Sequence, residues 1–479
     1  MDALDLARWQ FGIITVYHFL FVPVTIGLSA IVAGYETAWV RTKNPQWLRL
    51  TKFFGKLFLI NFAIGVVTGI VQEFQFGMNW SDYSRFVGDI FGAPLAVEGL
   101  LAFFLESTFL GLWIFGWDRL SPKLHTACIW LVHIGTLFSA YFILAANSWM
   151  QHPVGYKYNP TTGRAELHDF FAVLLNKVQL VTFPHVVTAA YMTAGAFVAG
   201  IAFWRFARAE RGEVKETFRR GVRTGASVML VAGLGVAITG DISGKIMTEV
   251  QPMKMAAAEG LYETQDHAPF SILEWGSLNG ENHTSIIEVP GLLSFLGTGS
   301  SDGEIKGIND LRAEYKAQYG QDPGAAYYSP GDYTPIIPVT YWTFRFMIGV
   351  GLLTAGIGLL LLLTTRRGRA PTNAWLVRGA IVLPFLPIAA NAFGWIFTEM
   401  GRQPWAVFGV MTTANGDSPG VSAGYVATSM IAYILLYAVL VVIEVRLMLT
   451  AIKADLAPDP GTSDDTDADD PDRPLAFAY

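Results

Sequence analysis

A single cysteine, Cys128, stands among 479 residues, which excludes an intrachain disulfide, a cysteine-based metal site and an iron–sulfur cluster. Charge is scarce too. Only 15% of the residues are charged against 52% hydrophobic, and the mean hydropathy of +0.38 is beyond what a water-soluble domain of ordinary composition reaches. Regular β alternation between turn signals is missing, which excludes a membrane barrel and leaves helices to satisfy the backbone in lipid. The first apolar run follows Asp2 and Asp5 rather than a basic segment and has no small-residue cleavage site, so it is expected to be retained as structure. No repeat recurs at solenoid periods. The net charge is -6, but much of the acid lies between Asp455 and Asp472, a Pro/Asp/Ser/Thr-rich stretch within an acidic tail, 453–479, expected to be solvated and disordered.

What the chain has in quantity is apolar sequence. A helix needs roughly 20 apolar residues to cross the hydrocarbon core. Stretches of that kind run at about 11–38, 53–77, 93–117, 125–148, 178–204, 222–242, 339–363, 376–397 and 423–450. The expected fold class is all-α, a polytopic membrane protein of about nine spans. The domain division is 1–242 for the first six spans, 243–338 for one large polar loop, and 339–452 for the last three.

Basic residues set the expected orientation. Arg41, Lys43, Arg49 and Lys52 lie between the first two spans, Arg205, Arg208, Arg211, Lys215, Arg219 and Arg220 between the fifth and sixth, and Arg366, Arg367 and Arg369 between the seventh and eighth. The positive-inside rule makes these loops cytoplasmic, with the N-terminus outside and the C-terminus inside. Arg119 and Lys123 agree, whereas Lys157, Arg164 and Lys177 on an outer loop run against the rule and are outvoted. The 243–338 segment then lies outside. It is too long for an ordinary connection, and its helix-compatible stretch from Met253 to Glu263 suggests a partly ordered lid.

Ionisable side chains within spans are costly in lipid and few: His18, Glu36, Glu73, Glu98, Glu106, His133, His185, Arg345, Glu399 and Glu444. His18, His185, Met347 and Glu399 fall at a similar depth near the outer face. Histidine and methionine form the usual axial pair of a low-spin haem, while a carboxylate or a single histidine leaves iron an open position. An interhelical hydrogen bond is the alternative for each histidine, and core filling the alternative for Met347. His133, mid-span, reads as structural. Glu98 and Glu106 lie about 12 Å apart along one helix on nearly one face, as proton stepping stones or as carboxyls bonded to a neighbouring helix.

Longer motifs carry more information. They are Gly401-Arg402-Gln403-Pro404-Trp405 after Glu399, Gly240-Asp241-Ile242-Ser243-Gly244 leading to Gln251–Glu259, and Ala146-Asn147-Ser148-Trp149-Met150-Gln151 ahead of Pro153-Val154-Gly155. Arg8-Trp9-Gln10-Phe11 precedes His18, Asn176-Lys177 precedes His185, and Trp342 to Met347 opens the seventh span. In order, spacing and depth these resemble subunit I of the cytochrome bd quinol oxidases, over nearly the whole chain up to the acidic tail. The roughly 95-residue loop resembles the short form of that family's quinol loop.

The resemblance implies a terminal respiratory oxidase of the bacterial cytoplasmic membrane that oxidises quinol outside and reduces dioxygen to water with cytoplasmic protons, without a dedicated pump. It implies two b-type haems and one d-type haem. His185 and Met347 would ligate the low-spin b haem, His18 the d haem and Glu399 the high-spin b haem, although members are reported with the last two sites exchanged. Glu98 and Glu106 match carboxylates of the d-haem pocket and proton path, and Lys254 and Glu259 match loop positions implicated in quinol oxidation. A carboxylate there accepts a proton and an ammonium stabilises an oxyanion. Arg345 and Arg402 would meet haem propionates or hold Glu399 ionised, a structural salt bridge being the alternative. Trp395 and Trp405 would pack on a macrocycle or anchor the interface. A second large membrane subunit and small single-span subunits are implied as partners, and no nucleic acid. A haem-copper oxidase is disfavoured by only eight histidines; a proton-coupled transporter would bind no haem.

Overall fold

The computed structural model describes residues 2–209, 212–276, 283–321, 332–369 and 373–456. Arg211 and the acidic run beyond 456 lie outside the described residues. Among those described, nine helical segments are long and apolar enough to cross a membrane. They are Ala3–Thr42, Pro45–Met78, Ser81–Phe115, Pro122–Gln151, Lys177–Arg208, Glu213–Val250, Ile337–Thr364, Ala374–Met400 and Ala423–Lys453. Each coincides with an expected span, but most extend several residues further into the interface, where polar residues continue a helix without helping a hydropathy count. The third starts at Ser81 rather than near 93, and the sixth continues to Val250 rather than 242.

Local chemistry explains where these helices start and bend. Asn44 and Asn176 cap the second and fifth by accepting from the backbone N–H of Gln46 and Val178. The first segment breaks at Leu20–Phe21, just ahead of Pro23 near the start of the next helix. In the third, a π-helical turn from Glu98 to Phe103 follows Pro94, and such turns re-aim the side chains around them.

Among the described residues, the bundle's largest buried apolar cluster lies in the half away from the large loop. Phe54, Phe58, Trp113, Phe203, Phe206 and Phe218 are all buried there. The fifth and sixth helices approach closely because Gly195 and Gly225 face one another. A Cβ on Gly225 would lie 2.6 Å from the Gly195 carbonyl oxygen and 2.6 Å from the Ala199 nitrogen. Those are backbone atoms and cannot rotate aside. Gly225→Val should force the helices apart and cost more than about 3 kcal/mol, the upper end for overpacked cores; thermal unfolding in detergent should show a clearly lowered Tm.

In the same half, Glu36 is fully buried and fully engaged. It accepts from Trp113 Nε1 at 2.8 Å and from Thr126 Oγ1 at 2.9 Å, and it meets His125 Nδ1 at 2.7 Å, tying three membrane segments together. His133 bonds Ser29 and Tyr191, each at 3.0 Å, in agreement with its structural reading.

The opposite face is closed by loops. No β signal is visible in the sequence, and the short antiparallel pairs present here contain too few residues to show one: Tyr156–Asn159 with Arg164–Leu167, Phe270–Gly276 with His283–Val289, and Trp405–Val407 with Met411–Thr412. All are outside the membrane helices, so the all-α class stands. The large loop also contains helices Pro252–Glu259, Leu292–Thr298 and Ile308–Tyr319. Of the basic residues on this face that resist the charge rule, Lys177 pairs with Glu249 at 2.6 Å and Lys157 lies across from Glu166 in its hairpin.

Candidate functional site

The short helix Pro252–Glu259 is the centre of the loop face. Pro252 starts it, and Gly260, at φ +64°, ends it in the left-handed conformation glycine tolerates. Gly260 also makes room for Glu274, whose carboxylate would lie 2.2 Å from an added Cβ. Every residue from Met253 to Glu259 is buried.

At the C-terminal end of this helix, Glu259 meets Arg345 of the seventh membrane helix. Arg345 Nη2 donates to Glu259 Oε2 at 2.6 Å and Nη1 to Oε1 at 3.3 Å, with the side chains 8% and 1% exposed respectively. The guanidinium also donates to the carbonyls of Ala258 and Ser271, and it lies 4.3 Å from the centre of the Tyr341 ring. Burial pushes the Glu259 carboxyl up to about 7 against the opposing pull of Arg345. Glu274 nearby is also raised to about 7 by burial.

Toward its N-terminal end the helix presents Lys254. Its Nζ donates to Gln151 Oε1 at 3.2 Å and Gln251 Oε1 at 3.3 Å, and lies 5.4 Å from the centre of the Phe397 ring. Burial, reinforced by Arg402, lowers its pKa to about 7, so near neutrality the side chain is divided between amine and ammonium rather than wholly the expected ammonium. Gln151 Nε2 donates to Asn147 Oδ1 at 2.9 Å, and Asn147 Nδ2 donates to Glu399 Oε1 at 2.9 Å. An unbroken run of donors thus leads from Lys254 to Glu399. The other carboxylate oxygen of Glu399 accepts from Arg402.

The two arginines therefore part company. Arg402 pairs with Glu399, whereas Arg345 pairs with Glu259 of the loop helix and makes no ion pair with Glu399. Lys254 and Glu259 make no ion pair with each other; five residues apart on a short helix, they reach opposite neighbours.

His18 Nδ1 lies 2.9 Å from Thr68 Oγ1, and His185 Nδ1 lies 3.0 Å from Thr239 Oγ1. Neither Nε2 has a hydrogen-bond partner among the described residues. Met347 Sδ lies against Gly394, where an added Cβ would come to 2.9 Å. His185 and Met347 stand on helices that both pack against the sixth. Trp395 packs edge-on against Phe19 at 5.1 Å, and Trp405 stacks on Tyr333 at 5.1 Å. Glu98 accepts from Ser139 Oγ at 2.5 Å, while Glu106 lies against Gly135 on the same helix one turn away. Both carboxyls thus face the fourth membrane helix across the π-helical turn.

A haem needs a lone-pair ligand for iron and donors for its propionates, and this donor set fits. The free Nε2 atoms and the Met347 sulfur supply the first. For the second, a cavity beside Lys254 is lined by Gln251, Arg402 and Trp405, and Gln251 Nε2, Arg402 Nε and Nη1, and Trp405 Nε1 are buried without a partner among the described residues. Buried donors left unmet cost about 1–3 kcal/mol each, more when charged, so this cluster calls for an acceptor such as a carboxylate.

Sequence reading missed Asn147 and Gln151 as connectors, although the stretch holding them stood out as a motif. It also missed Thr68, Thr239, Ser139 and Glu274, ordinary residues whose role depends on a partner far along the chain.

A family model described as "Cytochrome bd terminal oxidase subunit I" matches residues 6–456. The chain is 48% identical to the cytochrome bd ubiquinol oxidase subunit 1 of Bacillus subtilis (strain 168), covering 95% of this chain and 94% of that protein. It is 38% identical to the cytochrome bd-II ubiquinol oxidase subunit 1 of Escherichia coli (strain K12), covering 93% and 96%. Among solved structures it is similar to a chain of the bd oxidase from Geobacillus thermodenitrificans, with a TM-score of 0.83, 26% identity and 94% and 98% coverage.

Proposed function

The chain belongs to the cytochrome bd terminal oxidase subunit I family, and from that premise we propose that it oxidises membrane quinol at its loop face and passes the electrons to dioxygen. It is a multi-pass protein of the bacterial cytoplasmic membrane and part of a quinol:oxygen oxidoreductase. The observation that carries the finer reading is the placement of helix Pro252–Glu259. One end is clamped by Arg345, two residues before Met347, and the other is bonded through Gln151 and Asn147 to Glu399.

In this reading Glu259 accepts a quinol proton, and Lys254, poised near neutrality, stabilises the oxyanion or relays charge. His185 and Met347 hold a low-spin b haem, His18 a d haem and Glu399 a high-spin b haem. Arg402, Gln251 and Trp405 offer donors to propionates. Bound haems supply one-electron transfer and the reduction of oxygen to water. Glu98 and Glu106, both facing the fourth helix, carry protons inward from the cytoplasmic side. With quinol protons released outside and the loop face outward by the basic-residue pattern, charge separates across the membrane without a pump.

The proposed domains are 1–242 and 339–452, which carry ligands and proton groups, and 243–338, the quinol loop, whose first residues to Val250 continue the sixth helix; the tail beyond 456 lies outside the described residues. A second large membrane subunit, with small single-span subunits, would cover part of the third, seventh and ninth helices, which are mostly unburied among the described residues.

The test is a reduced-minus-oxidised spectrum of the purified oxidase together with quinol-driven oxygen uptake. Both b-type and d-type bands and sustained uptake are expected; absence of haem bands in a folded protein would overturn the reading.

A further inference from the structure

His18 and His185 lie on different helices and face different neighbours, yet their settings match atom for atom. Each Nδ1 meets a threonine hydroxyl, Thr68 at 2.9 Å and Thr239 at 3.0 Å. Each threonine is followed by a glycine over which the ring lies. A Cβ on Gly69 would come to 3.2 Å from His18 Cε1, and one on Gly240 to 3.5 Å from His185 Cε1. Each threonine is also bonded back to its own helix: Thr68 Oγ1 lies 3.1 Å from the Ile64 carbonyl and 3.0 Å from that of Gly65, and Thr239 Oγ1 lies 2.7 Å from the Gly235 carbonyl.

A carbonyl only accepts, so the single hydroxyl proton of each threonine is spent on the backbone. The threonine oxygen then faces Nδ1 as an acceptor, and Nδ1 must carry the ring proton. In a neutral imidazole this leaves Nε2 with its lone pair. We propose that Thr68–Gly69 and Thr239–Gly240 are two copies of one cradle that fixes the tautomer of His18 and His185 and presents each Nε2 to a haem iron. The proposal rests on the assignment of these histidines as ligands. The threonines are positioning residues, since they act through the histidines.

The cradle also sets ligand strength. Donation from Nδ1–H to a hydroxyl that is itself polarised by a carbonyl makes the imidazole more basic and favours ferric over ferrous iron. Partners of a ligating histidine typically matter about 10–100-fold. Loss of the hydroxyl should therefore weaken the ferric preference by about tenfold, an upward shift of ~59 mV for a one-electron couple.

Potentiometric titration of the purified holoenzyme tests this. Thr239→Val is expected to raise the midpoint of the haem held by His185 alone, and Thr68→Val that of the haem held by His18 alone, while Thr239→Ser and Thr68→Ser stay close to the parent. Unchanged midpoints in both valine variants, or serine variants that shift as far as valine, would overturn the cradle. If a valine variant fails to assemble, resonance Raman of the unmutated ferrous protein decides. The iron–histidine stretch at His18 is expected at the frequency of an imidazole with a bonded N–H, and a frequency typical of an unbonded N–H would refute the proposal. His185→Ala separates the two levels: if it keeps its haem spectrum the ligand assignment fails, whereas if it loses the spectrum and the threonine variants change nothing, only the cradle fails.

Discussion

Alanine at His185 should remove the low-spin haem signature from the purified oxidase and stop quinol-driven oxygen uptake, while the other haem bands persist. A low-spin iron requires two strong axial donors, and an alanine methyl supplies none. Met347→Leu keeps the apolar volume against Gly394 but deletes the sulfur, so it should convert the same haem to a high-spin form rather than lose it. Pairing the two variants separates ligation from packing. Because His185 packs against Gly240 and bonds Thr239, some loss of stability is expected in the alanine variant, and haem content should be measured per folded protein. An unaltered low-spin spectrum in both would remove this pair from the electron path.

Glu259→Gln should lower quinol oxidation by about 100-fold or more at neutral pH, the usual loss when a general base is removed. The haem spectrum should be unchanged. The carboxyl is pushed up to about 7 by burial, and only its ionised form accepts a proton. The parent enzyme should therefore gain activity on the acid side as pH rises toward about 7, and the glutamine variant should lack that acid limb. Lys254, lowered to about 7, works in the opposite sense: its ammonium is lost as pH rises, so a decline on the alkaline side belongs to it. Glutamine leaves the Arg345 guanidinium buried without its counter-ion, and breaking a buried pair typically costs about 3–5 kcal/mol. A melting curve must accompany the kinetics. Activity per folded enzyme within a few-fold of the parent would sink the role of Glu259.

Much of the architecture could be read from hydrophobic runs because lipid imposes a local rule: the backbone must be satisfied within each segment over a fixed thickness. That rule says nothing of the interface, which is why the third helix begins at Ser81 and the sixth persists to Val250. The candidate residues were legible for a related reason, since an ionisable group in a span stands out against Leu and Phe. Their partners were not. Thr68 and Thr239 look like any helix threonine, and Asn147 becomes a connector only because the fourth and eighth helices meet at Glu399.

The sequence by itself determined a membrane protein of about nine spans with sparse titratable groups and, through its motifs, the family to which it belongs. It also marked Lys254 and Glu259 as a pair. Only the tertiary structure decided that these two reach apart, Lys254 toward Gln151 and Glu259 toward Arg345, and that Arg345 and Arg402 have different partners. The physical reason is that burial and most of the pairing, Arg402 with Glu399 excepted, depend on distances between residues separated by about 50 to 250 positions in the chain. Local sequence fixes a side chain's helix and depth, but what shifts its pKa or fixes its tautomer is the neighbour that packing brings to within 3 Å.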